Sequence, residues 1–258
     1  MKIAIYHRQL EPQAQSQLAR LTAALESRGV VMENINSQFS ILNSQLVLSV
    51  GGDGTLLSAV HLLGDSGIPV LGVNYGHLGF LTTVGQEVEP EAFVEDLLAG
   101  RYTIEERTLL HCPLGTALNE ITLRRETAAL LRISLYVDDQ FVATYEGDGV
   151  IVATPTGSTA YNLSCGGPIL TPDSGCFVVT PIGAHNLTLR PMIVPDSARL
   201  RLESHGGSYS LGIDSQSLQG TTPITLGRAP YTVRLARMHN QSFFTAMHEK
   251  LAWGTELR

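Results

Sequence analysis

The spacing of apolar residues changes character part-way along this chain, and the change predicts two kinds of structure. Lys2 to Tyr6 is a short apolar run of strand length, and Gln13 to Arg28 carries Leu18, Leu21 and Leu25 at helical spacing before Gly29 ends it. Leu46-Val47-Leu48-Ser49-Val50 predicts a second strand, Thr55 to Leu63 a short helix, and Pro69-Val70-Leu71-Gly72-Val73 a third strand beginning after Gly67. A helical stretch around Pro90 to Leu98 follows. Strands alternating with helices predict an α/β domain with a parallel, Rossmann-like sheet.

From Arg107 onward the pattern shifts to short β-branched segments separated by turn clusters such as Asp138-Asp139 and His205-Gly206-Gly207. Ile133 to Val137, Phe141 to Tyr145, Val150 to Ala153, Phe177 to Thr180 and Tyr231 to Leu235 are examples, and together they predict a second, β-rich domain. The expected division is residues 1–103 and 104–239. Ser242 to Leu251 returns to helical spacing through Phe243, Phe244, Met247 and Leu251, with Asn240 or Ser242 available as a cap, and the tail 240–258 is expected to pack back on the first domain.

Composition narrows the function. The 258 residues, 43% of them hydrophobic, suffice for one large core or two modest ones. No stretch approaches the ~20 uninterrupted apolar residues of a membrane span, and the N-terminal apolar run meets His7-Arg8 before a signal-type region forms, so a cytoplasmic protein is expected. The net charge is −7 with no basic run, which disfavours nucleic acid and anionic membranes as partners. Cys112, Cys165 and Cys176 have no CxxC spacing and fit reduced thiols in a core. Of the 17 lysines and arginines only Lys2 and Lys250 are lysine, and both stand near the chain ends. A P-loop lysine and a protein-kinase strand lysine are therefore both absent.

Gly51-Gly52-Asp53-Gly54-Thr55 falls between a predicted strand and a predicted helix, where an open α/β sheet places its ligand crevice. Glycines let a backbone approach phosphate closely, and a helix N-terminus favours anions. Asp53 is an odd neighbour for a polyanion unless a cation intervenes or its task is to take a proton; its other reading is a helix cap. A dinucleotide fingerprint of the GxGxxG type is not satisfied, because Leu57 stands where the third glycine should. A second cluster, Gly72-Val73-Asn74-Tyr75-Gly76-His77-Leu78-Gly79-Phe80, follows the next strand, so two adjacent loops could cradle one triphosphate, or the second could be a tight turn over packed Leu78 and Phe80.

Asn119-Glu120, Gly147-Asp148-Gly149, the long run from Thr154 to Pro168, the segment Arg190-Pro191 to Val194-Pro195, and Asp214-Ser215-Gln216 complete a series whose order and spacing resemble the NAD kinase family over essentially the whole chain. The resemblance implies an α/β N-terminal domain, a C-terminal all-β sandwich, a substrate cleft between them, and homodimers or homotetramers. It implies transfer of the γ-phosphate of ATP, as its magnesium complex and without a fixed protein metal site, to the 2′-hydroxyl of the adenosine ribose of NAD, with Asp53 as general base. Carried over residue by residue, the phosphate loop is Gly51, Gly52, Gly54, Thr55 and Asn74. The dinucleotide contacts are Asp53, Gly54, Asn119, Glu120, Asp148, Thr159, Ala160, Tyr161, Asn162, Leu163, Ser164 and Gln216. Asp214 matches a site that family members often complete from a neighbouring subunit.

Two positions depart from the pattern. Ser58 and Glu146 stand where many bacterial members carry a basic residue, which leaves Arg190, His77 and magnesium as candidate counter-charges, with His185 unassigned. Two other readings stay open at this point: a diacylglycerol-type lipid kinase, which shares a GGDG loop but gives no reason for the Thr154 to Pro168 run, and a catalytically silent NAD-binding sensor, against which Asp53 argues.

Overall fold

The computed structural model describes residues 1–35, 43–76, 79–85, 88–206, 208–220, 222–238 and 242–254. His77, Leu78, Gly207 and Asn240 lie outside the described residues. The chain divides into two compact units, Met1–Glu106 with Val233–Arg258, and Arg107–Thr232.

In the first unit the apolar runs become strands β1 (Lys2–His7), β2 (Val31–Asn34), β3 (Leu46–Val50), β4 (Val70–Val73) and β5 (Thr82–Val84), interleaved with helices α1 (Pro12–Ser27), α2 (Asp53–Leu63) and α3 (Pro90–Leu98). The sheet order β2-β1-β3-β4 is parallel throughout, with Ile3 paired to Leu46 and Val47 to Val70. All five residues of β3 are buried, which is why Leu46 to Val50 reads as an unbroken apolar run rather than an alternation. Leu21 and Leu25 of α1 and Phe93, Val94 and Leu97 of α3 join Ile3, Ile5, Leu48 and Leu71 in one core. Helix α2 begins two residues earlier than its apolar spacing predicts, because the amides of Thr55 and Leu56 already bond the carbonyl of Gly52.

Strand β6 (Tyr102–Cys112) leads into the second unit, which contains β7 (Gly115–Ala117), β8 (Glu120–Arg125), β9 (Leu131–Val137), β10 (Gln140–Gly147), β11 (Gly149–Ala153), the one-turn helix α4 (Tyr161–Ser164), β12 (Cys176–Ile182), β13 (Met192–Pro195), β14 (Leu200–Ser204), β15 (Tyr209–Ile213) and β16 (Gln216–Gln219). The final long strand β17 (Ile224–Met238) starts here against β14 and ends in the first unit, parallel to β4; it is followed by α5 (Phe243–Leu251), capped by the Ser242 hydroxyl at 3.0 Å from the Thr245 amide.

The second unit is an antiparallel sandwich. One sheet runs β13-β12-β11-β8-β15-β16, and β10-β9-β14 with the start of β17 forms the other. Leu123, Val150, Val152 and Phe177 from the first meet Ile133, Leu135, Leu200 and Leu226 from the second. Strand β11 is buried on both faces: Val150 and Val152 point into the sandwich, while Ile151 and Ala153 pack with Leu170, Val178 and Tyr161 on the outside. The segment that carries Tyr161 is thus laid over the outer face of a sheet.

Leu48→Ala removes a fully buried side chain from the centre of the parallel sheet and is expected to cost roughly 2–5 kcal/mol in urea unfolding. Val31→Ala, at a residue 60% exposed, should stay within about 0.5 kcal/mol; equal losses at the two positions would contradict this assignment of the core.

Candidate active site

In the first unit β2 lies on one side of β1 and β3 on the other, so the chain reverses its direction of winding between β1 and β3, where an open parallel sheet leaves a crevice. A cavity of about 370 Å³ occupies it, walled by Gln9 to Glu11 after β1, by Gly51, Gly52 and Thr55 after β3, and by Asn74 to Gly76 after β4. Gly51 has φ 144°, and a Cβ there would sit 2.4 Å from Thr55 Oγ1, so only glycine makes this turn into α2. The Asn74 side chain accepts from the Gly76 amide at 3.0 Å and shapes the facing loop. Burial pushes the Tyr75 hydroxyl up to about 12, against an opposing pull from Arg20, so it remains a neutral donor in this wall.

Asp53 is the first residue of α2, behind Gly52 at the cap position, and its carboxylate does not cap its own helix. It turns instead to the segment before β5. Oδ2 accepts from the Phe80 amide at 2.8 Å, and Oδ1 from the Leu81 and Thr82 amides at 3.2 and 3.1 Å. Thr82 Oγ1 accepts from the Gly79 amide at 2.8 Å and closes the loop. A Cβ on Gly79 would fall 1.8 Å from Asp53 Oδ1, so the glycine makes room for the carboxylate. Of the roughly four lone-pair positions of a carboxylate, these amides use three.

Ser58, one turn further along α2, receives a hydrogen bond from Arg8 Nη2 at 2.5 Å, so a guanidinium stands beside the position where the resemblance puts a cation. Glu146 lies opposite Arg132 across the β9–β10 pair. Arg190 donates to the carbonyls of Leu187 and Leu189 on its own loop.

In the second unit a second aspartate repeats the arrangement around Asp53. Asp214, held at φ 50° between β15 and β16, accepts from the amides of Leu118, Asn119 and Glu120 at 2.9, 2.7 and 3.2 Å. This fixes the start of β8, along which Glu120, Thr122 and Arg124 alternate onto one face. They line a cavity of about 250 Å³ with Tyr161, Asp214 and Gln216. An adjoining cavity of about 340 Å³ shares Arg124 and Tyr161 and adds Asp148, whose carboxylate pairs with Arg125 at 2.7 Å. Arg124 lies over the Tyr161 ring, 5.9 Å from its centroid.

Glu120 is the unusual member. It is 8% exposed, and its Oε2 is buried without a hydrogen-bond partner. Burial first, and the nearby Asp214 charge second, push its carboxyl up to about 8, so at neutral pH it is mostly a neutral acid able both to donate and to accept.

The structure thus brings Glu120, Tyr161, Asp214 and Gln216 to one cavity and Asp148 to its neighbour. Asn119, Thr159, Ala160, Leu163 and Ser164 line neither. Asn162 is wholly buried and its amide is spent on the protein: it donates to the Ser158 and Pro168 carbonyls and accepts from Thr180 Oγ1 at 2.6 Å, which pins the Tyr161 segment down. Ser158 acts likewise, its hydroxyl accepting from the Leu170 amide. Gly54 is exposed and outside the cavity of the first unit, while Gly51, Gly52, Thr55 and Asn74 line it. Arg124, Arg125 and Thr122 were not among the residues expected from the sequence, although the alternation Glu120-Thr122-Arg124 carries the signal for two of them. Among the described residues no three His, Cys, Asp or Glu side chains converge as a metal site, and no helix is long and apolar enough to cross a membrane.

Comparison with known proteins agrees on the family. Residues 8–102 match the ATP-NAD kinase N-terminal domain and residues 118–225 the ATP-NAD kinase C-terminal domain. The NAD kinase of Flavobacterium psychrophilum is 40% identical over 229 residues, covering 83% of this chain and 78% of the relative. That of Porphyromonas gingivalis is 44% identical over 223 residues, covering 82% and 77%. An NAD kinase from Archaeoglobus fulgidus in complex with ATP superposes with a TM-score of 0.85 at 26% identity, over 98% of this chain and 99% of that one. A yeast NADH kinase complexed with NADH shares the fold, with a TM-score of 0.89 at 24% identity over 100% and 89% of the two chains. These matches leave the lipid-kinase and silent-sensor readings without support, and the chain belongs to the ATP-NAD kinase family.

Proposed function

We propose that the protein phosphorylates the 2′-hydroxyl of the adenosine ribose of NAD at the expense of ATP, with Asp53 as the base. The observation that carries the assignment of the base is the carboxylate fixed at the start of α2 by three backbone amides, with one lone pair left. The ribose oxygen attacks the γ-phosphorus, the bond to the bridging oxygen of ADP breaks, and the hydroxyl proton passes to Asp53. Gly51, Gly52 and Thr55 at the N-terminus of α2, with Asn74 on the facing loop after β4, receive the triphosphate, helped by the dipole of that helix and the Tyr75 hydroxyl. Magnesium enters as part of the MgATP substrate and neutralises charge on the phosphate oxygens.

The second unit holds the dinucleotide. Tyr161 supplies a ring to stack on, and Glu120, its Oε2 lacking a partner, meets a ribose hydroxyl; Asn119 and Asp148 address the adenosine and nicotinamide halves. Asn162 holds this segment rather than the ligand. Ser215, Gln216 and Ser217 are exposed at the rim of the Glu120 cavity, which supports completion of this site by a neighbouring subunit in a homodimer or homotetramer. A cytoplasmic location fits these small-molecule substrates.

Asp53→Asn is expected to lower kcat at least ~100-fold with a smaller change in KM for NAD, because a base acts mainly in the transition state; wild-type turnover would remove Asp53 from this role. Tyr161→Ala should weaken NAD binding by roughly ten-fold in calorimetry while leaving ATP binding nearly unchanged, and unaltered NAD affinity would take the ring out of the site.

Glu120 also sets a pH dependence of stability. Below about 4.5 its carboxyl is protonated in folded and unfolded chains alike. Between 4.5 and about 8 the unfolded chain has released the proton that the fold retains, so stability falls as pH rises and levels off above 8. Glu120→Gln should therefore be more stable than the wild type at pH 8.5 by on the order of 3 kcal/mol, with the difference closing at pH 4.5; parallel urea curves for the two proteins at every pH would refute the assignment.

A further inference from the structure

Arg237, the penultimate residue of strand β17, is 2% exposed and lies in the first unit. Its Nη2 donates to the Phe80 carbonyl at 2.8 Å, and its Nε lies 2.9 Å from Glu105 Oε2 on β6. The Phe80 carbonyl belongs to the same peptide group as the Leu81 amide, and that amide donates to Asp53 Oδ1. One peptide plane is thus held between a guanidinium at its oxygen and a carboxylate at its hydrogen.

We infer that Arg237 is a positioning residue for Asp53, acting through the Phe80–Leu81 peptide. The inference rests on Asp53 being the base. A cation bonded to a carbonyl polarises the whole amide and strengthens the bond its N–H makes. Arg237 therefore steadies the Asp53 carboxylate without touching it. Direct contact would be worse for catalysis, since a guanidinium fork takes both carboxylate oxygens and the lone pair the hydroxyl needs. Glu105 completes the line by pairing the buried guanidinium, which otherwise could not be accommodated there. The order Glu105, Arg237, peptide, Asp53 alternates in charge and ends on the reacting group.

The test is steady-state kinetics on Arg237→Gln and Arg237→Lys with MgATP and NAD, beside Asp53→Asn and the double variant Asp53→Asn/Arg237→Gln, each checked for folding by thermal melt. Arg237→Gln is expected to lose ~10–100-fold in kcat with KM for both substrates within about three-fold, and Arg237→Lys to recover part of the loss. The double variant should turn over no more slowly than Asp53→Asn alone, because Arg237 works only through that carboxylate. Wild-type kcat in folded Arg237→Gln, a loss confined to KM, or full additivity in the double variant each overturns the inference. Should Arg237→Gln not fold, Arg237→Lys decides: lowered kcat at unchanged KM supports the inference and wild-type kcat overturns it. Full activity in Asp53→Asn would instead sink the base assignment itself, and so separates the two failures.

Discussion

One carboxylate bonded to three consecutive backbone amides organises the first unit. Asp53 reaches from the first residue of α2 to Phe80, Leu81 and Thr82, and each bond replaces water on an amide the sheet does not yet use. Much follows from this. The helix must begin at Asp53 rather than Thr55, Gly52 must take the cap, and Gly79 must lack a Cβ. Thr82, held by its amide, enters β5 beside Gly72 of β4. On the proposed role of Asp53, catalytic geometry and the joining of two loops are the same set of hydrogen bonds, so a variant that loosens one loosens both.

The second unit uses the same device for another end. Asp214 gathers the amides of Leu118, Asn119 and Glu120, and so sets where β8 starts and which of its residues share a face. Its charge also bears on Glu120. A lone buried carboxyl is costly as an anion, and a neighbouring anion raises the cost, so Glu120 stays protonated into the neutral range. A neutral acid can donate to one oxygen and accept from another, which suits recognition of a sugar hydroxyl. Asp214 serves the backbone, while Glu120, kept neutral chiefly by burial, turns an acid group to the cavity both residues line.

Strand and helix positions were largely legible in the apolar spacing, since the parallel strands are continuous runs and the helices keep their leucines at three- and four-residue intervals. The place of the GGDGT loop between a strand and a helix was legible because its neighbours on both sides have unambiguous periods. What Asp53 binds was not, because its partners are 27 to 29 residues away and are backbone amides, which leave no mark on side-chain identity. Asn162 shows the converse. The run it belongs to resembles a ligand-lining segment, yet its own amide is satisfied within the protein, and only burial separates a residue that holds a loop from one that the loop presents. Arg237 carries no local signal at all, since its place depends on a strand that spans both units.

On the proposed function an aspartate stands close to bound phosphates, and the electrostatics around it accommodate that placement. The negative charge of Asp53 is drawn toward the protein by three amides, one of them polarised by Arg237 from behind, so less of it is presented to an incoming triphosphate. The cavity at the start of the same helix is walled by glycine backbone, the start of α2, the Asn74 amide and a Tyr75 phenol that burial keeps protonated, with the Glu11 carboxylate also in the wall. In a chain whose only lysines are Lys2 and Lys250, two guanidiniums are fixed near the start of this helix, Arg8 on Ser58 and Arg237 on the Phe80 carbonyl. A base beside a polyanion needs its charge held in place more than it needs it cancelled, and backbone amides do that without occupying its last lone pair.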